Sequence, residues 1–82
     1  MITFTLRIHP GFRRYVKHVP VGELLEMTAP EGTNALEFLQ NQAGMDLSAH
    51  CLILLNGQQI HKKDKKLKNG DRLTVFPRIA GG

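Results

Sequence analysis

The sequence has no tryptophan and a single cysteine, Cys51, so no disulfide can form within the chain. One cysteine is also too few for an iron–sulfur cluster, which takes four ligands. Long hydrophobic runs are missing. The longest, Cys51-Leu52-Ile53-Leu54-Leu55, falls far short of the roughly 20 residues of a membrane-spanning helix. The first residues hold no apolar signal-peptide core, because Thr3, Thr5 and Arg7 interrupt it. With 82 residues there is room for one small domain. Domains of this size bury only about 60–65% of their unfolded surface, which leaves little core for an enclosed substrate pocket. The expectation is a soluble, cytoplasmic single domain with no membrane partner.

Charge of one sign is missing from whole stretches. Residues 1–22 carry Arg7, Arg13, Arg14 and Lys17 and no acid. Residues 23–50 carry Glu23, Glu26, Glu31, Glu37 and Asp46 and no base. Residues 51–82 return to a basic balance through Lys62, Lys63, Lys65, Lys66, Lys68, Arg72 and Arg78 against Asp64 and Asp71, and the whole chain carries +4. A basic segment attracts an acidic protein or a phosphate backbone equally well. No aromatic residue lies among these lysines to stack on bases, which argues against a single-strand nucleic-acid site. Metal-ligand spacing is also absent. His9, His18, His50, His61 and Cys51 form neither a helical His pair nor a Cys-x-x-Cys pattern, so no metal is expected.

The residues that are present read as an α+β domain. Ile2, Phe4, Leu6 and Ile8 alternate with polar residues, the period of a half-buried strand. After Pro10-Gly11, Phe12, Tyr15 and Val16 recur at helical spacing over one turn. Leu25, Met27 and Ala29 alternate as a second strand, closed by Pro30-Glu31-Gly32. Asn34 is a good N-cap, with Glu37 placed for a capping box. Ala35, Leu36, Phe38, Leu39 and Ala43 make an apolar stripe, and Gly44 sits at the C′ position. These signals predict a helix of about ten residues. Cys51-Leu52-Ile53-Leu54-Leu55 predicts a third strand, Asn56-Gly57 a tight hairpin and Gln58-Gln59-Ile60 a return strand. Asn69-Gly70-Asp71 then turns into a last strand, Arg72 to Phe76, ended by Pro77. Two hairpins would flank one helix, and the first and last strands could pair in parallel at the centre of the sheet.

The tail is the most informative feature. Two terminal glycines arise by chance about once in 200 chains at average glycine usage. A glycine carboxylate has no side chain to shield it, and Gly81-Gly82 makes a thin, flexible thread that can enter a narrow channel. A carboxylate is a poor electrophile until it is activated, and nothing in the chain supplies a base, nucleophile or phosphate loop for this. Catalysis would come from a partner, so the chain is expected to be substrate or carrier and not an enzyme.

Four motifs occur in family order: Pro30-Glu31-Gly32 before the helix, Leu55-Asn56-Gly57, Asn69-Gly70-Asp71 and Phe76-Pro77-Arg78-Ile79-Ala80-Gly81-Gly82. On these the sequence resembles the ubiquitin-like β-grasp sulfur carriers of the MoaD/ThiS type, most closely the small subunits of molybdopterin synthase. Phe12-Arg13-Arg14-Tyr15-Val16 resembles the early helical turn of those subunits. Thiamine-pathway carriers are more distant, being usually shorter and without Phe-Pro before the tail. Arg78 departs from the second proline common in the molybdopterin subunits, and the basic balance departs from their usual acidity.

The resemblance implies a ubiquitin-like β-grasp with a mixed sheet of four to five strands and one main helix on one face. It implies a domain over residues 1–77 and a flexible tail over 78–82. Gly82 would be the reacting group, its carboxylate adenylated by an E1-like enzyme that uses ATP and magnesium. A persulfide sulfur donor would convert it to a thiocarboxylate. Gly81, Ala80, Ile79 and Arg78 would thread the tail into the large molybdopterin synthase subunit, in molybdenum cofactor biosynthesis. No cofactor is expected on this chain itself. If Ile53 and Leu55 face the helix, then Leu52 and Leu54 lie with Thr74, Phe76 and Pro77 on the opposite face, a partner-binding patch beside the tail. The alternatives are a carrier for another sulfur pathway (thiamine, tungsten cofactor or cysteine), a ubiquitin-type modifier joined through the same tail, and an RNA-binding β-grasp module using residues 62–68.

Overall fold

The computed structural model describes residues 1–47, 51–60 and 65–77. Strand β1 (Ile2–Ile8) buries Ile2, Phe4, Leu6 and Ile8 and exposes Thr3 and Arg7, as its alternation predicts. Its antiparallel neighbour β2 (Leu24–Ala29) begins one residue earlier than expected, at Leu24. These two strands are not a tight hairpin, because residues 9–23 intervene. That connection opens with a short 3₁₀ turn, Pro10–Phe12, in which the His9 ring nitrogen Nδ1 accepts from the Gly11 N–H at 2.9 Å. Phe12 is buried, and Tyr15 packs edge-on against it at 6.3 Å.

The later strands are β3 (Cys51–Leu55), β4 (Gln58–Gln59) and β5 (Arg72–Pro77). The sheet order is β2-β1-β5-β3-β4, with β5 parallel to β1 and antiparallel to β3. The expected central pairing of first and last strands is therefore present. The return strand is shorter than predicted, though the Ile60 N–H still donates to the Ile53 carbonyl. Asn56 and Gly57 both take positive φ, 54° and 84°, the geometry of the two-residue hairpin turn that Asn-Gly favours.

The helix differs from the prediction. It runs for eight residues, one α-helical turn, Ala35–Glu37, followed by a π-helical turn, Phe38–Gln42. The widening is visible in the Ala43 N–H, which donates five residues back to Phe38. Asn34 caps the helix through its side-chain oxygen, which accepts from the Leu36 and Glu37 N–H groups at 3.0 and 3.3 Å. The predicted stripe of Ala35, Leu36, Phe38, Leu39 and Ala43 is buried throughout. Phe38 meets Phe4 of β1 edge-on at 4.9 Å, tying the helix to the middle of the sheet. Gly44 follows at φ 68°, and the Lys17 and His18 N–H groups donate to the Gly44 and Ala43 carbonyls. The connection after β1 is thereby fastened to the end of the helix. Among the described residues no helix is long and apolar enough to cross a membrane.

Polar side chains hold the far end of the sheet. Asp71 is 9% exposed and uses both carboxylate oxygens. One accepts from Asn56 Nδ2 at 2.9 Å and the other from the Lys68 N–H at 2.7 Å. Asn56 Oδ1 in turn accepts from the Arg72 N–H at 2.9 Å. The next turn is stitched to β1, with Asn69 Oδ1 accepting from the Thr3 N–H and the Gly70 N–H donating to the Thr3 carbonyl, both at 2.8 Å. Within the lysine-rich stretch, Leu67 is buried, while Lys65, Lys66 and Lys68 are exposed. Lys65 and Leu67 bond to the Thr33–Ala35 backbone, so this stretch passes beneath the helix N-terminus as a strand-like bridge.

Replacing Asp71 with Ala leaves two part-buried donors, Asn56 Nδ2 and the Lys68 N–H, without their acceptor, and is expected to lower stability by about 1–3 kcal/mol. Thermal unfolding should show a Tm fall of about 4–8 °C per kcal/mol, with Asp71→Asn losing less. Equal losses for the two variants would exclude the hydrogen bonds as the cause. Gly44→Ala should cost about 1–2 kcal/mol through the left-handed backbone alone. Its added Cβ would also lie 2.5 Å from the His18 ring and displace it. Urea unfolding of Gly44→Ala beside Gly57→Ala, whose Cβ meets nothing within 4 Å, separates strain from contact.

Candidate functional site

The sheet has one face under the helix and one without it, and strand parity decides which residues lie on each. Ile53, Leu73 and Val75 are buried on the helix side. Their neighbours in sequence therefore point the other way. The register places Leu52 opposite Phe76 and Leu54 opposite Thr74. Four of the five residues predicted for the partner-binding patch thus share one surface as two directly facing cross-strand pairs. Pro77, the fifth, pairs with Cys51 at the last position of β5. Phe76 is 39% exposed, whereas Leu52, Leu54 and Thr74 are half-buried.

The surface extends further than the sequence indicates. Register carries one row across all five strands, Leu24, Arg7, Thr74, Leu54 and Gln59. A second row runs Glu26, Thr5, Arg72. A groove of about 810 Å³ crosses β2, β1 and β5 on this face, lined by Leu24, Glu26, Arg7, Arg72, Thr74 and Phe76 among others. Leu24 is 67% exposed, a large apolar side chain left on the surface. Sequence reasoning missed Leu24, Glu26, Arg7 and Arg72 because pattern reading stops at the strand. Which strands lie side by side, and in what register, is tertiary information. The signal that was available is the polar phase of β1, Thr3, Thr5 and Arg7, which the register sets on the same face as Arg72 and Thr74 of β5.

The tail residues Arg78, Ile79, Ala80, Gly81 and Gly82 lie outside the described residues, as do His50, His61, Lys62, Lys63 and Asp64. They follow directly in sequence on Phe76 and Pro77, and these two residues stand at the margin of the apolar face. Cys51 is half-buried at the start of β3 and packs against the core. The described lysines, Lys65, Lys66 and Lys68, line a separate polar cleft beside the hairpin with Asn56 and Asp71.

A model of the ThiS family matches residues 16–82. The chain belongs to the ThiS family. It is thus a ubiquitin-like sulfur carrier of the MoaD/ThiS type. No curated protein matches it in sequence. Solved structures give the fold independently. A protein described as molybdopterin converting factor subunit 1, from Pyrococcus furiosus, superposes with a TM-score of 0.68 at 23% identity, covering 96% of this chain and 100% of that one. A chain from the complex of subunits 1 and 2 of molybdopterin-converting factor from Helicobacter pylori gives 0.63 at 23% identity, covering 99% and 100%. SAMP1 from Haloferax volcanii gives 0.62 at 15% identity, covering 98% and 99%. At such identities the likeness is one of fold, and it establishes the β-grasp that the sequence resemblance implied.

The two faces of β5 predict opposite sensitivities. Phe76→Asp on the outer face of this ThiS-family domain should change stability by less than about 1 kcal/mol. Val75→Asp, one residue away, buries an unpaired carboxylate and should unfold the domain or lower stability by more than about 3 kcal/mol. Circular dichroism melts of both variants test the assignment, and a severe loss in Phe76→Asp would overturn it.

Proposed function

We propose that this chain carries sulfur as a thiocarboxylate on Gly82, as the small subunit of a molybdopterin synthase.

 The observation that carries this reading is the outer face of the sheet, where the facing pairs Leu52–Phe76 and Leu54–Thr74 adjoin the point from which the tail departs. An apolar patch of this kind on a small domain suits docking onto a protein. The tail continues β5 without an intervening element, so docking of that face would aim Gly82 into the partner. The fold likeness to a chain from a complex of subunits 1 and 2 of molybdopterin-converting factor supports a large subunit as that partner.

The chemistry follows from the carboxylate. An E1-like enzyme with ATP and magnesium would convert the Gly82 carboxylate to an acyl-adenylate, releasing pyrophosphate. The terminal sulfur of a protein persulfide would attack the carbonyl and displace AMP. A second thiol would then cleave the acyl disulfide, leaving a thiocarboxylate on Gly82 and a disulfide on the donor side. In the large subunit that sulfur would pass to a pterin precursor. Here the chain's own residues contribute binding and delivery: the outer face docks, and residues 78–82 span the distance to the reacting centre.

Intact-mass measurement tests the reading. Incubation with the activating enzyme, ATP, magnesium and a persulfide donor should replace one oxygen of the chain by sulfur, and deletion of Gly82 should abolish the exchange. A chain with intact Gly82 that never exchanges oxygen for sulfur overturns the proposal. Diglycine-linked conjugates on other proteins, without sulfur exchange, would point to the modifier alternative.

A further inference from the structure

Strand β2 lies at one end of the sheet, and among the described residues no strand pairs with its outer side. Which of its backbone groups face outward follows from the bonds of β1. The Thr5 N–H donates to the Asp71 carbonyl and the His9 N–H to the Val75 carbonyl, so the odd-numbered residues of β1 bond toward β5. Its even-numbered residues therefore bond toward β2. Ile2, Phe4 and Leu6 stand opposite Ala29, Met27 and Leu25, which makes these the hydrogen-bonded pairs. The N–H and C=O groups of Leu24, Glu26 and Thr28 consequently point away from the sheet, and all three residues are exposed. Such an edge is a ready template for another strand.

We infer that this edge accepts an extended, basic segment of a partner protein as a sixth strand, with a Lys or Arg of that segment opposite Glu26. Charge selects the occupant. Glu23, Glu26 and Glu31 lie on or beside β2, and the nearest cation on this face, Arg7, sits on β1, on the inner side of β2 away from the open edge. A second copy of the chain is disfavoured for a geometric reason. The antiparallel self-pairing that uses all three outward residues of each edge is centred on Glu26, and it sets Glu26 against Glu26. Like charges directly opposite destabilise a strand pair. Pro20 and Pro30 lie outside β2 on either side and leave the six-residue edge free of proline. The inference concerns a hydrogen-bonding edge and not sulfur chemistry, so it stands or falls independently of the proposed function.

The test uses the full chain, ¹⁵N-labelled, titrated with a capped peptide of alternating valine and threonine with lysine at its centre. The expected result is a set of amide shifts concentrated at Leu24, Glu26 and Thr28. A peptide with glutamate in place of the lysine should bind about three- to tenfold more weakly. Glu26→Pro removes an outward N–H without touching the β1 ladder and should weaken binding by about fivefold. Glu26→Lys should reverse the preference between the two peptides and serves as the second variant if Glu26→Pro does not fold. Equal binding of both peptides, no binding of either, or shifts located away from β2 would overturn the inference. Sedimentation showing a dimer that Glu26→Pro dissolves would overturn it in favour of self-pairing.

Discussion

The parallel pairing of β1 with β5 is the constraint on which the rest of this structure depends. Parallel neighbours cannot be joined by a hairpin, so the chain between them must cross the sheet. Here that crossing includes the helix, whose apolar stripe covers one face and meets β1 through the Phe4–Phe38 contact. With β5 held at the centre, β3 has a place on its other side and β2 is left at the far edge. Strand β5 then ends, at Pro77, in the middle of the sheet, beside the face that the helix does not cover. A tail on an edge strand would have no such surface next to it.

Because a sheet this small has few strands to fix its register, polar side chains and turns do much of that work. Asp71, Asn56 and Asn69 bind backbone groups that would otherwise be unpaired where β1, the β3–β4 hairpin and β5 come together. A slip of one residue would break these bonds and turn Phe76 toward the core and Val75 toward water. The network and the alternation of β5 therefore enforce the same answer. Each surface left over has a distinct chemistry. The uncovered face offers apolar side chains, the β2 edge offers backbone donors and acceptors on either side of Glu26, and the cleft beside the hairpin is lined by lysines.

Much of this was legible in the sequence. Strand alternation gave β1, β2 and β5 to within a residue or two, and Asn-Gly gave the hairpin, because periodicity and turn chemistry are local properties. The helix was placed correctly and its cap residue identified, but its second half widens into a π turn. The widened turn closes at Ala43, whose carbonyl, with that of Gly44, also accepts from the connection after β1, a contact between residues far apart in sequence. Leu67 passed as part of a lysine loop, since one apolar residue among five lysines has no period to reveal it. Asp71 looked like a turn residue, and only the fold brings Asn56 to its carboxylate.

The same division holds for the candidate site. Residues 78–82 and the facing of Leu52, Leu54, Thr74 and Phe76 were stated from sequence, the latter because strand parity sorts side chains once one face is assigned. Arg7, Leu24, Glu26 and Arg72 joined that surface only when β2, β1 and β5 were seen side by side. By itself the sequence determined the elements, the family resemblance and the chemistry available at a glycine carboxylate, because each of these resides in residues near one another along the chain. Tertiary structure alone decided which strands are neighbours, which backbone groups are left unpaired and what surrounds the start of the tail, because those depend on contacts between residues far apart in sequence.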